Sequence, residues 1–146
     1  MEKKMGIGFG VMFLKDGKIL LGKRHEDPGK ASSLMHGEGT WTMPGGKLHF
    51  GEAFRDACVC EVAEETGINI DKEKLELISV SNDIVTDAHF VTLGFFIEDF
   101  SGEAKVMEPD EITEWQWFSL DALPEKVFIP SQKVLNNYSA KQIFSD

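Results

Sequence analysis

Between Gly45 and Ile68 the chain runs from a glycine pair into a helical stretch whose last two turns hold Glu61, Glu64 and Glu65. A helix carries roughly half a negative charge at its C-terminal end, so acids there face repulsion. Like charges three or four residues apart add about 0.2–0.5 kcal/mol of repulsion per pair. No Lys or Arg follows to relieve them; Thr66, Gly67 and Ile68 come next. Clustered carboxylates are hard oxygen ligands, and a divalent cation such as Mg2+ or Mn2+ answers the repulsion directly.

The spacing also says which glutamates act together. At about 100° per residue, Glu61 and Glu65 fall within about 20° of Phe54, with Cys58 close by and Glu64 about 80° away. One helical stripe is therefore apolar at its start and acidic at its end, which suits a helix whose far end opens into a cleft. Glu52 lies at the helix start, where the dipole favours a carboxylate; a cap or a ligand role both fit. Arg55 is spaced to pair with Glu52, and Cys60, off the acidic face, is expected to be a small packed side chain.

Residues 46–68 resemble the box of the Nudix hydrolases, Gly-x5-Glu-x7-Arg-Glu-U-x-Glu-Glu-x-Gly-U, with U bulky and apolar. Gly46, Glu52, Glu61, Val62, Glu64, Glu65, Gly67 and Ile68 occupy its positions, and Cys60 stands where the family has Arg. Trp41 to Leu48 and Glu114 to Leu120 extend the likeness toward small MutT-type members. The resemblance implies an α/β fold, an α/β/α sandwich on a mixed sheet. It implies Mg2+, or Mn2+, held by Glu61, Glu64, Glu65 and the Gly45 carbonyl, with Glu61 or Glu111 as base. Arg24 matches a phosphate-contacting Arg, and Gly46, Lys47 and Glu52 join it as substrate-side candidates. Glu108 and Glu114 are alternatives to Glu111; Trp41, Phe90 and Phe128 are candidates to stack a base, and His36 and His49 to make polar contacts.

The activity so implied is Mg2+-dependent hydrolysis of a nucleoside triphosphate to a monophosphate and pyrophosphate. Hydrolysis of a nucleoside diphosphate derivative such as a nucleotide sugar, or a non-catalytic nucleotide-binding module, are the alternatives. The Pro and Tyr that mark other branches past the box are absent from Asp83-Ile-Val-Thr86.

With 146 residues a single domain, 1–146, is expected. A net charge of −10 argues against a nucleic-acid polymer or an anionic membrane as partner, but not against a small nucleotide screened by metal. Cys58 and Cys60 are about 200° apart on a helix and cannot pair. With no signal peptide or disulfide framework, a cytoplasmic protein is expected, and a homodimer is left open.

Along the chain, Gly6–Leu14 and Ile19–Arg24 read as strands around a Lys15–Lys18 turn. Residues 26–39 read as a loop, and Trp41–Pro44 as a short extended segment. Ala53–Thr66 is the acidic helix, capped by Gly67. Leu75–Ile84, Phe90–Ile97 and Trp115–Phe118 read as strands. Glu108–Glu114 is an acidic loop, Ser119–Pro124 a short helical turn, and a last helix begins at Ser131.

Overall fold

The computed structural model describes residues 2–30 and 37–146 of the chain. Strands β1 (Lys4–Lys15) and β2 (Lys18–Arg24) form the first hairpin. Asp16 and Gly17 turn it with φ of 52° and 74°, the left-handed pair that matches strand twist. There follow β3 (Trp41–Thr42), β4 (Gly45–Lys47), α1 (Phe54–Thr66), a 3-10 turn at Lys72–Lys74, β5 (Glu76–Val85), β6 (Ala88–Ile97), β7 (Ile112–Ser119) and α2 (Ile129–Ala140).

β1 organises the sheet. It runs parallel with β6, Lys4 beside Ala88 through Phe13 beside Ile97. On its other edge Gly8, Phe9 and Gly10 pair antiparallel with β4, and its last residues pair with β2. β5 adds antiparallel to β6, and β3 and β7 flank β2. The sheet is mixed, as expected.

Strand alternation sends successive side chains to opposite faces. Phe9, Val11 and Phe13 pack with Ala57, Cys58 and Val62 of α1. Met12 packs on the other side with Leu21, Met43, Val134 and Leu135, the last two from α2. The helices thus cover opposite faces, giving the α/β/α layers. Fully burying an aliphatic or aromatic side chain of this size stabilises by about 1.5–3 kcal/mol, so the two cores hold both helices to the strands between them.

Several boundaries differ from the sequence reading. The buried stripe of α1 is Ala57, Cys58, Val62, Glu65 and Thr66. Phe54 is 43% exposed, because it is the first helical residue and lies before the stripe meets the sheet. Cys60 is exposed rather than packed, since it lies opposite that stripe. β7 begins at Ile112, so the acidic loop ends at Glu111. After it, residues 120–122 form a turn and no helix. α2 starts at Ile129 instead of Ser131, with Pro130 in its first turn, where a missing N–H goes unneeded. Gly67, at φ 77°, closes α1 by donating to the Ala63 carbonyl.

Candidate active site

Beside β4, where the C-terminal end of α1 meets the sheet edge, lies a cleft of about 390 Å³. Arg24, Gly45, Gly46, Lys47, Glu61, Glu65 and Glu111 all line it, from four separate stretches of chain. Phe90 and Phe128 contribute aromatic walls.

The acidic end is built by close approach of backbone to carboxylate. The Gly45 N–H donates to Glu65 Oε1 at 3.0 Å. A Cβ on Gly46 would lie 2.9 Å from the Glu61 carboxyl carbon, and one on Gly45 would collide with the Phe9 carbonyl. Only glycines let the turn sit between β1 and these acids. Trp115 Nε1 donates to the Glu65 carbonyl at 3.3 Å, tying β7 to the helix end.

Burial dominates the electrostatics. Glu65 is only 6% exposed, and its carboxyl is held well above the usual carboxylate range by desolvation, opposed by the Gly45 hydrogen bond and reinforced by the charge of Glu61. Glu61 is also raised, first by burial and then by the charge of Glu64. Glu108 is raised by burial and by the charges of Glu111 and Glu64. The acids of α1 and of the loop before β7 therefore feel one another across the cleft mouth.

Glu111 is positioned by its backbone: its N–H donates to the Glu108 carbonyl at 2.9 Å, and its own carbonyl accepts from His25 at 2.7 Å. Arg24 leaves β2 on the same side. Its Nε donates to the Gly37 carbonyl at 2.9 Å, and its guanidinium lies 4.7 Å from the Phe128 ring centre. Desolvation lowers its pKa, against the raising charges of Glu111, Glu38 and Glu65. Lys47 is exposed, with its ammonium 5.7 Å from the Phe90 ring centre.

Not every candidate arrives in the cleft. Glu64 is exposed and does not line it, as its offset on the helical wheel requires; only its charge reaches Glu61. Glu52 is outside the lining too. It accepts the His49 N–H at 2.7 Å and donates its own N–H to the His49 carbonyl at 3.1 Å, which is a cap of the turn before α1. Arg55 donates to the Leu75 carbonyl at 3.3 Å instead of pairing with Glu52. Glu114 lies on β7 opposite Lys23, away from the cleft. Trp41 stacks edge-on against Phe118 at 4.9 Å as a core residue. His49 lines the cleft, and His36 lies outside the described residues.

The sequence reading missed the wall facing α2: Gly8, Gly10, Met43, Thr92, Ser131 and Val134. Ser131 Oγ accepts the Met43 N–H at 3.0 Å and lies 3.2 Å from Thr42 Oγ1, pinning the first turn of α2 to β3. Glycines at alternate positions of a strand were the signal available for part of it, since glycine inside a strand often marks close backbone approach.

Among the described residues no three acidic, His or Cys side chains converge as a ready cage for a metal. The residues nevertheless fit Mg2+ well. That ion keeps several waters and is bound by one or two carboxylates together with substrate phosphates. Glu61 and Glu65, crowded and desolvated beside a backbone turn too tight for any Cβ, supply that kind of donor set.

Comparison with known proteins agrees with this architecture. The chain matches the NUDIX domain family over residues 4–138. A MutT NUDIX hydrolase from Burkholderia pseudomallei superposes with a TM-score of 0.79 at 32% identity, covering 91% of this chain and 97% of that one. An ADP-ribose pyrophosphatase of Methanocaldococcus jannaschii is 32% identical over 85% of this chain and 67% of its own length. The NAD-capped RNA hydrolase NudC of Pseudomonas aeruginosa is 36% identical over 82% of this chain, which spans 40% of that protein.

The fold and the matched region define a hydrolase of nucleotide phosphoanhydrides. The chain belongs to the Nudix family. Among the described residues no helix is long and apolar enough to cross a membrane.

Proposed function

We propose that this enzyme is a Mg2+-dependent pyrophosphohydrolase that converts a nucleoside triphosphate to a monophosphate and pyrophosphate. The observation that carries the reading is the mixed lining of this cleft. Glu61, Glu65 and Glu111 line it together with Arg24 and Lys47, and Phe90, Phe128, Met43 and Val134 add apolar surface. A triphosphate needs metal-screened acids and cations at one end and an apolar slot for a base at the other.

Glu61, Glu65 and the Gly45 carbonyl would hold the ion, with Glu64 joining from the solvent side; Mn2+ suits the same donors. A bound ion neutralises phosphate oxygens and lowers the pKa of water. Gly46 leaves room for the Glu61 carboxyl on the substrate side, while Arg24 and Lys47 would orient phosphate oxygens through charge-assisted hydrogen bonds. Glu111, or Glu61, takes the proton of the attacking water. Glu52 supports the site by capping the turn between β4 and α1. The enzyme is proposed to work in the cytoplasm on small nucleotides, as a single domain over residues 1–146.

The name of the M. jannaschii relative favours a second reading, cleavage of a nucleoside diphosphate derivative. A panel of triphosphates, nucleotide sugars and ADP-ribose, assayed for pyrophosphate and phosphate with Mg2+ and with EDTA, separates the two. Pyrophosphate from triphosphates, lost in EDTA and in Glu111→Gln, supports the first. Monophosphate products from diphosphate derivatives alone would replace it.

A further inference from the structure

An arginine side chain is long, and a ligand that binds it must halt its rotamers unless the protein has already done so. Arg24 is held by its neighbours before any ligand arrives. The ladder between β2 and β7 shifts register between Lys23 and Arg24, a bulge of the kind that re-aims a side chain. Arg24 Nε donates to the Gly37 carbonyl at 2.9 Å, and the guanidinium carbon lies 4.7 Å from the Phe128 ring centre.

Both neighbours are themselves fixed. The Gly37 carbonyl also accepts from the Thr40 N–H at 3.1 Å and from the Thr40 hydroxyl. Phe128 is the N-cap of α2: its N–H donates to the Trp41 carbonyl at 2.8 Å, and its carbonyl accepts from the Gln132 N–H at 2.9 Å. The two also close on each other. A Cβ at position 37 would lie 2.3 Å from two carbons of the Phe128 ring and 3.1 Å from Arg24 Nε. Gly37 has no left-handed φ, so this close approach is what the position requires of a glycine. The charges of Glu111, Glu38 and Glu65 all act on Arg24, so a loose guanidinium would have carboxylates to fall onto instead of phosphate.

We infer that Phe128 and Gly37 are positioning residues for the substrate's polyphosphate, and that Phe128 acts on it through Arg24 and not by stacking the base. The inference rests on reading the cleft as a nucleotide site. The Nε bond to Gly37 fixes the turn of the guanidinium, and the ring supports the cation. A planar fork held in this way suits the paired oxygens of a phosphate. Three stretches of chain, the end of β2, Gly37 and the start of α2, are thereby joined at one cation.

The test measures equilibrium binding with Ca2+ in place of Mg2+. The probes are the four common nucleoside triphosphates and inorganic tripolyphosphate, which has no base; thermal midpoints report the fold. Phe128→Leu should weaken every probe by about three- to tenfold, the cost of immobilising one rotamer-rich side chain. Phe128→Tyr keeps the ring and should recover most of that loss. Beside Arg24→Gln, Phe128→Leu should cost nothing further, because the group it positions is gone. Arg24→Lys keeps the charge without the plane or the Nε, and should lose at least as much as Phe128→Leu.

A Phe128→Leu that binds tripolyphosphate like wild type and loses only nucleotides overturns the inference, because the ring would then touch the base. A loss that persists in full beside Arg24→Gln overturns it too. If Phe128→Leu melts far below wild type, Arg24→Lys decides: wild-type affinity there overturns the inference, and an equal loss for all probes upholds it. A wild type that binds no probe overturns this inference together with the reading beneath it. One that binds nucleotides but not tripolyphosphate overturns this inference alone, since the phosphates would then have no seat of their own.

Discussion

The Gly45 N–H and Glu65 Oε1 are joined by a 3.0 Å hydrogen bond, which makes the glycine turn and the end of α1 one unit. The bond satisfies one oxygen of a buried carboxyl and fixes its rotamer before any cation arrives. It also means that the acid proposed to hold the cation can be neutralised without losing its place.

Glu65→Gln should therefore keep the fold. The amide oxygen still accepts from Gly45, and a repulsive charge leaves the helix end. Turnover should fall by about 10²-fold or more, the scale on which a preorganised electrostatic group acts. Steady-state rates across a Mg2+ titration check this. Near-native turnover at low Mg2+ would remove Glu65 from the metal site.

The same substitution exposes a pH dependence. Burial raises the Glu65 carboxyl well above its ordinary 4.5, and Glu61 is raised as well. Between the unfolded and folded pKa values the native state holds protons that the unfolded chain has released. Their contribution to stability is thus full at and below the unfolded value and is lost as pH rises through the folded values. In EDTA, the melting temperature of Glu65→Gln should gain on wild type as pH rises from the ordinary carboxylate range, and the gap should be flat below it. Added Mg2+ should stabilise wild type more at about pH 8 than at about pH 5, since ion and proton compete for the same oxygens. A gap independent of pH would show that Glu65 titrates normally.

Away from the acids, α2 is latched to the sheet by an ion pair. Lys133 Nζ lies 2.7 Å from Asp83 Oδ1 and donates to the Asn82 carbonyl at 2.6 Å. The Asp83 side chain is 5% exposed, and among the described residues its Oδ2 has no hydrogen-bond partner. Lys133→Met should cost about 3–5 kcal/mol, mostly from the carboxylate left buried and unpaired. Adding Asp83→Asn should restore much of that loss, as a double-mutant cycle by urea denaturation would read. Because Pro130 and Ser131 of the same helix line the cleft, KM should rise in the single variant. A single-variant loss below about 1 kcal/mol would mean that water replaces the lysine.

How much the sequence discloses depends on whether a contact is local. Glu61 and Glu65 share a helical face by spacing alone, and Gly45 and Gly46 precede them within one motif, so that end of the cleft was readable. Arg24 and Glu111 came from the resemblance, and both line the cleft. The opposite wall was not readable. It exists because β1 runs parallel with β6 and α2 packs across both, pairings that leave no periodic trace in either segment. A helical wheel gives angle but not what lies opposite, which is why Phe54 shares the stripe of Glu61 and Glu65 and yet stands exposed. For the same reason the packed environment expected for Cys60 is one that the helix does not provide.

That exposure sharpens a test of the chain's one departure from the Nudix box. Cys58 is buried, and desolvation pushes its thiol up to about 12, whereas Cys60 faces solvent. One thiol should react with an aromatic disulfide in the native protein, two after unfolding, and none in native Cys60→Arg. The arginine would enter no apolar pocket, so the variant should fold. It would stand one turn before Glu64 and beside Glu61, where an i,i+4 pair adds about 0.2–0.5 kcal/mol and a cation eases the helix end. Turnover should rise a few fold with little change in nucleotide affinity, because the gain lies in ordering carboxylates and not in touching the base. Steady-state kinetics set beside product binding measure the two separately. A folded Cys60→Arg with unchanged turnover would show that the acids are already ordered without a cation at this position. The Gly45 hydrogen bond to Glu65 would then be the contact that orders them, and Gly45→Ala, which forces a Cβ against the Phe9 carbonyl, should lose activity where Cys60→Arg gains none.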